Sequence, residues 1–263
     1  MSGGIVYLMY HELELPGRQL CDSEPGYVRY VVKASGFREQ LARLCADGFR
    51  GISVSEALTK KDDSSLRVVL TFDDGCETDL TVAAPLLREA NFNATFYATV
   101  EHLGRRGYLS SSQLRELSDQ GFEIGSHSMT HSYLHDLTTE RIRAEVVESK
   151  ARLEQLTGRR VAHFSCPGGR WDRRVSEIVR EAGYDSLVTS QIGINAPETD
   201  SFHLARVPVM RAINIDEFAR ISRGLGLGRR RAQSAVLNVA KRVLGNSMYE
   251  RLRASVLGHG AAS

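Results

Sequence analysis

Two kinds of patterning alternate along the chain. Short apolar runs that are nearly continuous are separated by stretches in which apolar residues recur every three or four positions. The first kind reads as strands buried on both faces, the second as amphipathic helices. GIVYLMYH (4–11) opens the series and ends on His11. A polar loop containing Gly and Pro runs through Gly26, followed by the short apolar stretch YVRYVV. FREQLARLCADG then places Phe37, Leu41 and Leu44 on one helical face, with Ser35 as the expected N-cap and Gly48 as the stop. RVVLTFDDG (67–75), ATFYATV (94–100), FEIGSHS, AHFSC, SLVTS and LARVPVM read as further strands. LTVAAPLLREA (80–90), SSQLRELSDQG, TTERIRAEVVESKARLEQLTG (138–158), DRRVSEIVREAG and IDEFARIS read as helices. Pro85 is expected either to kink the first of these or to lie in its first turn. Repeated strand-then-helix units predict an α/β fold with a parallel sheet covered by helices. About seven strands suit a closed or nearly closed barrel better than an open doubly wound sheet.

The Gly-rich GLGLG (224–228) reads as a linker. It divides the chain into an expected barrel over residues 1–222 and a basic amphipathic helical tail over 223–263. Charge sharpens that division. The tail holds eight Arg or Lys and one Glu, about +7, so a net charge of +2 leaves about −5 on the body. The tail has apolar residues at helical spacing between basic ones. It reads either as a helix lying on an anionic membrane surface or as one packed on the barrel with a solvated basic face. A nucleic-acid partner is not expected, because the basic stretch is short and the body acidic. The length of 263 residues fits one large domain, and no apolar stretch is long enough to span a membrane as a helix. The first apolar run lacks a basic flank and a small-residue cleavage site, so the expectation is a cytoplasmic protein. Cys21, Cys45, Cys76 and Cys166 are scattered, with no C-x-x-C pair, and predict neither a zinc knuckle nor a disulfide framework.

In parallel α/β barrels, functional residues gather at the carboxyl ends of the strands. Here those ends carry His11, then Asp73-Asp74-Gly75, then His127 and His131, then Pro167-Gly168-Gly169. The strand starts carry nothing comparable. Two adjacent carboxylates ending an apolar strand repel one another and are costly to desolvate. They read as a turn capping the next helix, or as a pair relieved by a cation, with one carboxylate on the metal and the other free as a base. His127 and His131 share a face if their segment is helical. One Asp oxygen and two imidazole nitrogens would make three ligands with positions left open, the layout of a catalytic metal site. His135 reads as a surface residue, and Cys76 and Cys166 as buried, inert thiols.

The pairing of Thr71-Phe72-Asp73-Asp74-Gly75 with His127-Ser128-Met129-Thr130-His131 resembles the polysaccharide deacetylase family of carbohydrate esterases, over roughly residues 4–222. The resemblance implies a distorted (β/α) barrel and a hydrolase that uses one divalent metal to remove N- or O-acetyl groups from sugars. It makes Asp73 the catalytic base and Asp74, His127 and His131 the metal ligands. Zinc is the first expectation for the ion, with cobalt, nickel, manganese and iron accepting the same set. Two departures stand out. Ser165 occupies the position where the family has an arginine beside the catalytic aspartate, leaving Arg170 or Arg206 to supply that charge from elsewhere. The family's C-terminal Leu-x-His is also missing, since Leu204-Ala205-Arg206-Val207-Pro208-Val209 holds no histidine. Tyr10-His11 resembles the histidine strand of circularly permuted deacetylases that act on exopolysaccharides, which makes His11 the general acid.

The expected function is therefore metal-dependent deacetylation of a saccharide, N-acetyl first, in exopolysaccharide or cell-surface glycan synthesis. A tail on the inner membrane face would bring the enzyme to a lipid-linked saccharide. Two alternatives stand beside it: hydrolysis of a different amide, such as a small cyclic one, on the same fold, and a non-catalytic carbohydrate-binding relative. Trp171 either stacks on a sugar ring or packs beside the Pro-Gly-Gly turn.

Overall fold

The computed structural model describes residues 4–59, 65–228 and 230–232. The tail beyond residue 232, and with it the expectation of a membrane-surface helix, lies outside the described residues. In chain order the strands are β1 Val6–Tyr10, β2 Leu13–Glu14, β3 Val32–Lys33, β4 Phe49–Ile52, β5 Leu66–Phe72, β6 Thr95–Ala98, β7 Glu123–Ser126, β8 His163–Ser165, β9 Ser186–Val188 and β10 Val207–Pro208. The helices are α1 Pro25–Val28, α2 Ala34–Ala46, α3 Val54–Thr59, α4 Ala84–Glu89, α5 Ser111–Asp119, α6 Thr139–Thr157, α7 Arg173–Glu181 and α8 Ile215–Ser222. Among the described residues, no helix is long and apolar enough to cross a membrane.

Seven parallel strands run in the order β10-β1-β5-β6-β7-β8-β9. They are the seven that the apolar runs predict. The sheet curls until its ends meet at residues 204–208. Leu204 bridges Val188 beside β9, and three residues later Val207 pairs with Leu8 of β1. The seam of this distorted barrel is thus carried by one short segment. β4 is an eighth strand that the sequence pattern did not reveal. It pairs with the first half of β5 on the edge whose second half pairs with β6. Its sequence, FRGI, is too short and too mixed to register as an apolar run.

Because side chains alternate across a strand, the barrel has two apolar layers. Val6, Leu8, Tyr10, Val68, Leu70, Phe72 and Phe96 belong to the larger layer beneath the helices. There Tyr10 stacks on Phe72 at 5.2 Å and Phe72 on Phe96 at 4.8 Å, with Phe37 of α2 edge-on to both Tyr10 and Phe72. Tyr7, Ile52, Val69, Tyr97, Val188 and Leu204 form the smaller layer inside the barrel. Residues of their parity, continued to the strand ends, point into the mouth. His11 follows Tyr7 and Met9, Asp73 follows Val69 and Thr71, and Arg206 follows Leu204.

Local expectations are met at some points and corrected at others. α2 begins at Ala34, with the extended Lys33 at its N-cap and no side-chain cap; Ser35 sits inside the first turn. Lys33 is extended because it pairs with Glu14, so the chain leaves β3 directly into the helix. Pro85 lies in the first turn of α4, after a wider π-type turn at Asp79–Ala83. Ser110 and Gln113 form a reciprocal capping box at the start of α5. GLGLG is not a free linker. Its Gly224 and Gly226 adopt left-handed φ, which turns the chain back after α8, and Leu227 is buried in the core. The described structure therefore continues past the expected boundary at residue 222.

Gly125 on β7 shows how tightly the interior is filled. A Cβ there would stand 2.4 Å from the ring of buried Tyr97 and 3.1 Å from the His163 carbonyl oxygen. Gly125→Ala is expected to destabilise the fold by about 1–3 kcal/mol, as overpacking does. A denaturant midpoint equal to that of the wild type would contradict this packing.

Candidate metal and hydrolytic site

The mouth is built from the ends of β1, β5, β7 and β8, with one residue from the seam. Asp73 and Asp74 follow β5 and are both buried, so the turn must separate two carboxylates. It does so by backbone conformation. Asp74 has φ 80, a left-handed value that is unusual for any residue but glycine, and its side chain leaves in a different direction from that of Asp73.

Asp73 faces Arg206. The guanidinium donates from Nη1 to Oδ1 and from Nη2 to Oδ2, both at 2.7 Å, a bidentate pair. Its other hydrogens go to Thr71 Oγ1 at 3.2 Å, Ser165 Oγ at 2.9 Å and the Thr189 carbonyl at 2.9 Å. Ser165 Oγ also contacts both Asp73 oxygens at 3.3 Å. Burial pushes the Asp73 carboxyl up, but the Arg206 charge and hydrogen bonds outweigh it and hold the group below the usual carboxylate range. Arg206, not Arg170, therefore supplies the charge left missing by Ser165. Arg170 instead lies over the Tyr133 ring at 4.1 Å.

Asp74 faces the histidines. Its Oδ1 lies 3.4 Å from His127 Nε2 and 3.2 Å from His131 Nε2, yet this buried oxygen has no hydrogen-bond partner. One carboxylate oxygen and two imidazole nitrogens thus lie within 4.8 Å of one another. Donors about 2 Å from a tetrahedral ion stand roughly 3.3 Å apart, so the spacing fits a divalent cation such as zinc. The His127 Nδ1 contact with the Ser165 carbonyl, at 2.9 Å, leaves Nε2 free to act as a ligand. Burial raises the Asp74 carboxyl, but the His127 and His131 contacts bring it well below its ordinary value. Burial lowers His131, and Asp74 more than reverses this, so His131 titrates above the ordinary histidine value. Protons therefore compete with a cation for this ligand as the pH falls.

The two histidines do not meet on a helical face. Ser128 and His131 both have left-handed φ, and residues 127–131 form a loop. What shapes it is Glu145 of α6, whose carboxylate accepts from Met129 N at 3.0 Å, Thr130 N at 2.9 Å and Thr130 Oγ1 at 2.6 Å. Sequence reasoning missed Glu145. The available signal was a carboxylate on the buried stripe of α6, between Ile142 and Ser149.

His11 reaches the same mouth from β1. Tyr10 pairs with Phe72, and Asp73 N donates to the Tyr10 carbonyl at 3.0 Å, so the next position along the ladder sets His11 beside Asp73. Its ring lies 5.1 Å from that of Tyr30, and its buried Nδ1 has no hydrogen-bond partner. Burial lowers its pKa, and the charges of Asp74 and Asp73 only partly offset this. His135 is not in the cluster; its Nε2 lies 3.1 Å from Asp136. Trp171 packs on His203 at 4.3 Å and against the core.

The Asp73–Arg206 pair generates a stability prediction. A carboxyl whose pKa is lowered by folding contributes stability above its unfolded value of about 3.9, and this is lost as the pH falls through the depressed folded value. Arg206→Met should cost about 3–5 kcal/mol near neutral pH, by leaving a buried carboxylate without its partner. The loss should shrink as the pH falls, because Asp73 without Arg206 takes up a proton at higher pH than the paired carboxyl does. Denaturant unfolding from pH 7 down to pH 3 checks this, and an equal loss at every pH would contradict it.

Residues 60–187 match the family model for polysaccharide deacetylases. The chain is 31% identical over 124 residues to the peptidoglycan-N-acetylglucosamine deacetylase of Bacillus cereus, covering 47% of this chain and 56% of that protein. The chain spans about 56–63% of the length of the first curated relatives it matches. A polysaccharide deacetylase structure from Bacillus cereus superposes with a TM-score of 0.71 at 25% identity, covering 83% of this chain and 68% of that one. The Streptococcus pyogenes deacetylase PplD shares the fold, with a TM-score of 0.73 at 21% identity, covering 82% of this chain and 97% of that one. The segment that matches the polysaccharide deacetylase family model starts before β5 and takes in Asp73, Asp74, His127, His131 and Ser165, while His11 and Arg206, which share the barrel mouth, lie outside it.

Proposed function

We propose that the protein is a metal-dependent hydrolase that removes acetyl groups, N-acetyl first, from a saccharide of an exopolysaccharide or cell-surface glycan. The observation that carries this reading is the division of labour between adjacent aspartates. Asp73 is neutralised by Arg206, while Asp74 turns an unpartnered oxygen toward two histidine nitrogens. The amino-sugar preference rests on the family-model match and on the peptidoglycan-N-acetylglucosamine deacetylase among the relatives.

Asp74, His127 and His131 would hold the ion, zinc being the first choice for this donor set. A divalent cation there supplies Lewis acidity toward the acetyl carbonyl and makes water more acidic. Asp73 is the proton acceptor for the attacking water. Arg206 and Ser165 keep it ionised and fix both its oxygens, so it waits in the correct state and orientation. His11 is the proton donor to the departing amine or alcohol. Its position beside Asp73 across the β1–β5 ladder puts acid and base at neighbouring strand ends. Burial makes its imidazolium a stronger acid than an exposed one, which favours release of the proton. Placement of the histidine on the first strand supports the reading of a permuted site, because β1 lies between β10 and β5 in the barrel. A cytoplasmic location and attachment of the 223–263 tail to an anionic membrane belong to the same proposal, and binding to anionic liposomes tests them separately.

Acetate release from N-acetylated glycan oligomers tests this function. His11→Ala is expected to lower turnover by about 10²–10⁴-fold, the usual contribution of a positioned acid, with metal content unchanged. Full activity in that variant would overturn the role of His11. Ring opening of cyclic amides without acetate release would overturn the substrate class, and saccharide binding with neither reaction would favour a non-catalytic relative.

A further inference from the structure

Behind the mouth, three loops meet at a pair of thiols that the reaction does not use. Cys21 lies on the loop between β2 and α1, and Cys76 lies two residues after Asp74. Their Sγ atoms are 3.8 Å apart although the residues are separated by 55 positions. The scattered cysteines in the sequence predicted no such pairing. Cys76 is fully buried and Cys21 half-buried, and both are free thiols.

The pair is held in place from several sides. Cys21 Sγ donates to the Gly107 carbonyl at 3.0 Å, and Cys21 N donates to Glu12 Oε2 at 2.9 Å. Glu12, itself fully buried, also takes the Tyr27 hydroxyl at 3.0 Å and pairs with Arg18. The Tyr27 hydroxyl is 3.5 Å from Cys76 Sγ. Gly107 has φ +90, and a Cβ there would stand 2.8 Å from Cys21 Sγ, so only glycine lets this third loop close over the thiol. A loop without regular structure between β2 and α1 is thus pinned with its one sulfur opposite another.

We propose that Cys21 and Cys76 are a site of reversible oxidation, forming a disulfide that clasps the loop after β2 to the loop after Asp74. A disulfide bond is about 2.05 Å long, so the sulfurs must approach by roughly 1.8 Å, a movement on the scale of a cysteine side-chain rotation. The oxidant is a small disulfide, RSSR. The Cys21 thiolate, on the accessible side, attacks one of its sulfurs and expels RS⁻, which takes up a proton. Cys76 then loses its proton and attacks the Cys21 sulfur of the mixed disulfide, expelling the second RS⁻. Two protein thiols are oxidised, one RSSR is reduced to two RSH, and a small dithiol reverses the exchange. The bond joins positions 55 apart in sequence, so it restricts the unfolded chain strongly.

The test uses the full chain and oxidised glutathione as the probe, followed by alkylation under denaturing conditions, peptide mass mapping and thermal melting. The expected result is a Cys21–Cys76 cross-linked peptide and a rise in Tm of roughly 5–10 °C. Dithiothreitol should reverse both, and Cys21→Ser should show neither. Exposed Cys45 takes up glutathione separately and is recognised by its own mass change. The proposal is overturned if Cys21 carries only glutathione while Cys76 remains open to alkylation, or if the cross-link forms without raising Tm. Neither readout depends on deacetylase activity.

Discussion

A guanidinium buried inside a barrel has to be neutralised, and much of this structure follows from where that happens. Arg206 is fully buried and sits on the segment that closes the seam. Alone there it would cost several kcal/mol. Its partners come from β5 and its end, from β8, and from the residue after β9. The arginine therefore ties the seam segment, which backbone pairing links to β9 only through the Val188–Leu204 bridge, to β5 and β8 as well. The same bonds fix the Asp73 carboxylate in direction and in charge. Closure of the barrel and the fixing of the Asp73 carboxylate at its mouth are one arrangement here.

Once Asp73 is neutralised, its neighbour is free for different work. The left-handed turn at Asp74 sends the second carboxylate to the histidine loop, where one oxygen is left without a protein partner. Glu145 shapes that loop from outside, and the Ser165 carbonyl fixes the His127 ring. Ser165 therefore serves both halves, its hydroxyl to Arg206 and Asp73, its carbonyl to His127. A residue that looked like a loss relative to the family pattern is a junction.

Much of this was legible in the sequence, for physical reasons. Strands buried on both faces leave continuous apolar runs, so the seven barrel strands stood out while FRGI, with an exposed arginine and a glycine, did not. Functional side chains crowd the carboxyl ends of parallel strands, so His11, Asp73, Asp74, His127 and His131 could be grouped before their positions were known. What was hidden depends on contacts distant in sequence. Arg206 meets Asp73 across 133 positions, and sequence could only name it beside Arg170. Cys21 and Cys76 meet because two loops fold over the same edge. The helical reading of His127–His131 failed because spacing alone cannot distinguish a helix from a loop held by a distant carboxylate.

Two adjacent aspartates face different partners, Asp73 the guanidinium and Asp74 the histidines. Anomalous diffraction from crystals grown with zinc tests that directly. The predicted result is one ion bound by Asp74, His127 and His131, with Asp73 still paired to Arg206 and outside bonding distance of the metal. An ion ligated by Asp73, or one bound away from the two histidines, would contradict it.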